Sequence, residues 1–249
     1  MQILLTVAYD GTNYAGWQRQ ENALAIQEKL ENALSALLDR TITVRAASRT
    51  DAGVHAMGQR ASFFAPDLKI PIAKLPEVLI AYLPQDISVT AAEVVSEEFN
   101  PRFGAVQKTY VYNIYNAPCP NPLLHRYSAF VPRPLDLSAM QTAAAFFVGK
   151  HDFAAFCATG GNAKTTVREI FACEVSAQPN GLISLTVTGN AFLYNMVRII
   201  AGTIVYAGLG KFPPQQIPQI ITSLKRENAG KTMPAQGLVL MEVVYALSH

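Results

Sequence analysis

VREIFACEVSAQPNGLISLTVT, residues 167–188, is the stretch from which the fold of this chain is read. Branched and apolar side chains alternate with polar ones over 167–177 and again over 182–188, the period of a half-buried strand. Between the two runs stands QPNG, whose Asn180 and Gly181 tolerate the positive φ that a tight hairpin turn requires. Two strands joined this closely run antiparallel.

Working outward from the hairpin, the pattern predicts a strand over 108–115 (KTYVYNIY) and a helix near 138–148 before it. After it come an apolar helix over 193–208, a helix over 215–225 and a strand over 238–245. The first half has a similar order. Strands are expected over 3–9, 42–47, 60–65 and 87–95. Ile26, Leu30, Leu34 and Leu37 recur at helical spacing, and 73–83 is a weaker helical segment despite Pro76. The expectation is an α+β chain of two ferredoxin-like (RRM-like) halves with mainly antiparallel sheets, residues 1–105 and 106–249. Prolines at 118, 120, 122, 132 and 134 cannot donate ladder hydrogen bonds, so the segment that holds them reads as a loop or an ordered excursion.

Half of the 249 residues are apolar and 15% are charged, which argues for a folded globular chain and against long disorder. The start, MQILLTVAYDG, reads as a first strand and lacks the features of a signal peptide. The most apolar stretch, 191–209, carries Asn195 and Arg198 near its centre, which argues against a bilayer span of about 20 residues. No membrane association is expected, and a cytoplasmic location is the default. The three cysteines and four histidines show neither CxxC nor HExxH spacing, so no metal site or disulfide framework is indicated. GGN at 160–162 and GLG at 208–210 form no phosphate-binding fingerprint. The net charge of +2 hides an asymmetry: −4 over residues 1–100 and +6 over 101–249, so a polyanion would lean on the second half.

The segment most suggestive of chemistry is SRTDAGVH, residues 48–55, a loop expected between two strands. Asp51, ahead of Ala and Gly, is read first as a turn former. Read for chemistry, it is a carboxylate that Arg49, two residues away, can keep ionised and oriented as a nucleophile or base. Arg198 is a candidate second cation, because a charge inside an apolar helix is costly without a partner. That partner is equally well a structural carboxylate, or the side chain reaches solvent. In KTYVYNIY, Tyr110 and Tyr112 share one face and Tyr115 points to the other. Such rings either stack on bases or sit half-buried in a strand.

Several ordered blocks then make the chain resemble the tRNA pseudouridine synthase A family over nearly its whole length. They are YDGTNYAGWQRQ at 9–20, ASRTDAGVHAMGQ at 47–59, FNPRFGAVQKTYVYNIYN at 99–116, HDFAAF at 151–156, FLYNMVRIIAGTIVYAGLG at 192–210 and the terminal MPAQGLVLMEVVY. The resemblance implies two ferredoxin-like halves whose sheets join around a central cleft, in a homodimer that acts on the anticodon stem and loop of tRNA at uridines 38–40. It places the catalytic aspartate on Asp51, the base-stacking tyrosine on Tyr110 and the aspartate-pairing arginine on Arg198. Arg49 matches the residue implicated in displacing the target base.

The implied reaction breaks the N1–C1′ bond, turns the uracil, joins C5 to C1′ and removes the C5 proton, so no redox cofactor or group donor is expected. A paired uridine must first leave the stack, at a cost of about a few kcal/mol. Whether Asp51 attacks C1′, attacks C6 or abstracts a sugar proton stays open, and all three routes need it ionised. Pairing with an arginine lowers its pKa, so activity is expected to survive mild acid. Two alternatives compete: a non-catalytic RNA-binding module of ferredoxin-like domains, and an enzyme that cleaves the glycosidic bond without rejoining it.

Overall fold

Strand β1 (Gln2–Tyr9) is apolar on both faces and lies between β3 (His55–Phe64) and β4 (Ile87–Val95), antiparallel to each. The computed structural model describes residues 1–161 and 163–246; Asn162 of the GGN stretch lies outside them. The chain forms two compact units, one of Met1–Val106 together with the chain from Leu240 onward, the other Gln107–Val239. The architecture is α+β with mostly antiparallel sheets. No helix among the described residues is long and apolar enough to cross a membrane.

In the first unit, helix α1 (Ile26–Leu38) buries Ile26, Leu30, Ala33 and Leu34. It ends at Asp39, which takes a left-handed conformation with φ 50°. The strand expected over 42–47 shrinks to β2 (Arg45–Ala46), paired with Ser62 and Ala61 of β3. The cause is local. The Ile42 N–H donates to Ser35 Oγ at 2.9 Å and the Val44 N–H to Glu31 Oε1 at 2.9 Å. Side chains of α1 thus take donors that a ladder would have used. Conversely, β3 starts at His55, five residues before the expected start, because polar residues of that stretch are buried: Gln59, for one, is wholly inside and donates through Nε2 to Ser48 O at 2.8 Å. The second helix is a 3₁₀ turn, Ile72–Lys74, followed by α2 (Leu75–Leu79), with Pro76 in the first turn where its missing N–H costs nothing.

In the second unit, β5 (Ala105–Asn116) is followed by β6 (Ala129–Val131), α3 (Leu137–Ala145), β7 (Gly149–Asp152), β8 (Val167–Ala177) and β9 (Leu182–Gly189), and the sheet order is β5-β9-β8-β7. The β8–β9 hairpin turns on Asn180 and Gly181 at φ 60° and 78°. The proline-rich excursion is ordered. Asn116 Nδ2 donates to the carbonyls of Val131 and Arg133, both at 2.8 Å, and its Oδ1 accepts from Leu135 N at 3.2 Å. Helix α4 (Met196–Gly208) is buried on nearly every side and is followed by α5 (Ile217–Ser223). It begins three residues later than the apolar run suggests, because Asn195 is left-handed at φ 60°. The last strand, β10 (Leu238–Tyr245), joins the open side of β3, so the first unit's sheet reads β4-β1-β3-β10.

Candidate active site

Asp51 stands in the irregular stretch between β2 and β3, half-buried. Its backbone oxygen accepts from Val54 N at 3.1 Å, closing a turn in which Gly53 has φ 76°. The loop is fastened on several sides. The Gln59 side chain, wholly buried, grips the Ser48 backbone twice: Oε1 accepts from Ser48 N at 3.2 Å and Nε2 donates to Ser48 O at 2.8 Å. The hydroxyls of Tyr9 and Thr50, both buried, lie 2.7 Å apart. Trp17 N donates to Thr50 O at 3.0 Å, and Gly53 N to Tyr14 O at 3.3 Å.

Those last two bonds tie the loop to the 10–17 segment, DGTNYAGW, which lies against it so closely that side chains do not fit. A Cβ on Gly11 would fall 2.0 Å from Val54 O, and one on Gly16 would fall 2.5 Å from Thr50 O. Gly16 also has φ 97°, a conformation other residues rarely adopt. Beyond the turn, the Gly11 N–H donates to His55 Nδ1 at 3.0 Å. The same Nδ1 lies 3.1 Å from Asp10 Oδ1. Tyr14 donates to Asp86 Oδ1 at 2.6 Å, and burial together with this carboxylate pushes its phenol well above the usual range.

Arg49 is exposed and has no ion pair among the described residues. The orienting contact with Asp51 that the sequence spacing suggests is therefore absent in this structure. The guanidinium is instead open to solvent on the same loop as the carboxylate.

In the second unit, Tyr110 lies on β5 opposite Val187, 6% exposed, with its ring edge-on to Phe192 at 5.1 Å and 83°. Arg198 is the third residue of α4 and half-buried. Its Nε donates to Met233 O at 2.7 Å and its Nη1 to Asn195 Oδ1 at 2.6 Å, while Met233 N returns a bond to Arg198 O at 3.2 Å. Tyr112 fixes the next residue of that segment, donating to Pro234 O at 2.7 Å; burial pushes its phenol up, with the Arg198 charge pulling the other way. A cation in the first turn faces the positive end of the helix dipole, and that turn holds no acidic residue. Such a site favours an anion.

Sequence reasoning noted Thr50 in the reactive loop but passed over Gly11, Gly16, Tyr9 and Gln59 as parts of the site. YDGTNYAGW is dense in glycine and aromatics, which is the available signal, but nothing in its spacing says that it packs on a loop some 40 residues downstream.

A family model described as tRNA pseudouridine synthase matches residues 5–104 and 143–246. A tRNA pseudouridine synthase A of Ruminiclostridium cellulolyticum is 50% identical over 244 residues, covering 98% of this chain and 99% of its own. Another, of Caldicellulosiruptor saccharolyticus, is 46% identical over 243 residues with the same coverage, 98% and 99%. Among solved structures, an H/ACA RNP bound to a substrate RNA containing 2′-deoxyuridine aligns with 94% of this chain and 46% of its own at TM-score 0.40 and 11% identity, a likeness too loose to bear on chemistry.

Proposed function

The chain belongs to the tRNA pseudouridine synthase family, and from that premise we propose that Asp51 is its catalytic carboxylate. The protein is an isomerase that converts uridine to pseudouridine in tRNA. The observation that carries the assignment of Asp51 is the fastening of its loop: bonds with Gln59, Trp17 and Tyr14 hold the backbone, and Tyr9 holds the Thr50 hydroxyl, around a carboxylate that stays partly exposed. A reacting group held this way loses little freedom on meeting its substrate.

Around it, the proposed roles follow from each side chain's chemistry. Arg49, exposed and unengaged, enters the space a uridine vacates when it leaves the stack. Tyr110, edge-packed on Phe192, supports the extruded ring. Arg198 partners the Asp51 carboxylate and keeps it ionised, which each of the three routes through C1′, C6 or a sugar proton requires. The reaction is a rearrangement within one nucleotide, so no cofactor enters it.

The target uridines are 38–40 in the anticodon stem and loop, and the working form is a cytoplasmic homodimer; both readings rest on family resemblance. Carbodiimide labelling and primer extension on unmodified tRNA incubated with the protein test the target. Stops at 38–40 are expected, and stops elsewhere would keep the chemistry but refute the position. Release of free uracil, read by chromatography, would mean cleavage without rejoining.

A further inference from the structure

Three polar side chains are buried beside Asp51 and touch no substrate in the mechanism above: Tyr9 is 5% exposed, Thr50 7% and Gln59 0%. Burying a hydroxyl or an amide is unfavourable unless it is bonded, and apolar groups of the same shape would fill the space at comparable stability. What apolar packing does not supply is direction. The bonds form a chain that runs from the sheet to the loop. Gln59 on β3 holds both the N–H and the carbonyl of Ser48, and its Nε2 lies 3.4 Å from the hydroxyl of Tyr9 on β1. That hydroxyl in turn holds Thr50 Oγ1 at 2.7 Å. Ser48 and Thr50 are the third and the first residues before Asp51, so two strands of the sheet fix the approach of the chain to the carboxylate at two points. On the carbonyl side of Thr50, Trp17 N completes the grip at 3.0 Å.

We infer that Tyr9, Thr50 and Gln59 are positioning residues for the reaction, setting where the Asp51 carboxylate stands through the backbone on its amino-terminal side. The inference rests on Asp51 being the reacting group. Misplacing a reacting group by about 1 Å can cost about 10²-fold in rate, so loosening this chain affects turnover more than binding.

The test uses the full-length protein and unmodified tRNA, measuring the single-turnover rate of pseudouridine formation at saturating enzyme, the Kd for tRNA and the melting temperature. Thr50→Val and Tyr9→Phe remove one hydroxyl each with little change of shape. Each is expected to slow the rate by about 10- to 100-fold with Kd unchanged, whereas Thr50→Ser, which keeps the hydroxyl, stays within a few-fold of the parent. The Tyr9→Phe/Thr50→Val double variant is expected to be no slower than the slower single, because both break one shared bond. Parent-like rates in both single variants, while Asp51→Asn is inactive, would overturn the inference and leave the catalytic reading standing. A slow Thr50→Ser, rate losses that multiply in the double variant, or a Kd that weakens in step with the rate would also overturn it, in favour of a merely structural role. An active Asp51→Asn would instead remove the catalytic reading and the inference with it. If Thr50→Val does not fold, Tyr9→Phe alone carries the comparison.

Discussion

Arg49 and Asp51 sit two residues apart on the same loop, yet one is exposed and the other half-buried. That difference separates their contributions. Asp51→Asn keeps the shape and removes the charge, so pseudouridine should fall to the no-enzyme level while tRNA affinity, read by filter binding, stays within about twofold of the parent. Arg49→Ala should act on base extrusion, weakening single-turnover rate on stem uridines more than on an unpaired model RNA. Arg198→Lys keeps a positive charge but loses the planar fork that serves Met233 O and Asn195 Oδ1 together. If Arg198 partners Asp51 as proposed, a less well placed cation favours the ionised carboxylate less. As pH falls, activity should then be lost at a higher pH than in the parent, and a pH–rate profile checks the sign. In the sequence, RTDAGVH singled out Asp51 as a candidate. An intervening charge in an apolar helix pointed to Arg198, but its bond to Met233 O was not legible, because backbone partners leave no residue-type signature.

At the scale of elements, the loop is only as well defined as the 10–17 segment beneath it. Gly16→Ala puts a methyl group 2.5 Å from Thr50 O at a φ of 97°, so it should destabilise the protein by about 1–3 kcal/mol. Urea unfolding reads that directly; a loss of pseudouridine formation larger than the loss of folded protein would place the strain at Asp51. Hairpin β8–β9 was readable in full, since alternation and Asn180–Gly181 act within a few residues of each other. The short β2 was not. Ile42 and Val44 are apolar and alternate as a strand should, but Ser35 and Glu31 of α1 capture their N–H groups, a tertiary contact that periodicity does not register. Likewise β3 was read as starting late because its first residues include the buried polar side chains of His55 and Gln59, satisfied by distant partners.

For the whole molecule, the charge split of −4 over residues 1–100 and +6 over 101–249 carries a measurable expectation. If the second half supplies most phosphate contacts, charge-neutralising substitutions there should reduce the slope of log Kd against log salt by about one per contact, and those in the first half should barely change it. Light scattering on the purified protein would check the proposed dimer, with a mass near twice 27.1 kDa expected. Composition and pattern announced an α+β chain in two parts. They did not announce that the chain from Leu240 onward returns to the first unit, because pairing between β3 and β10 is set by strands some 180 residues apart.

That returning strand has a consequence for biosynthesis. A ribosome makes the loop of Asp51 early but delivers the strand that pairs with this side of β3 only after the second unit has emerged. Until then β3 offers a row of unpaired amides and carbonyls to any neighbouring nascent chain. A message truncated between codons 199 and 237 would thus yield a polypeptide that holds all four proposed site residues and still lacks the strand that pairs with β3.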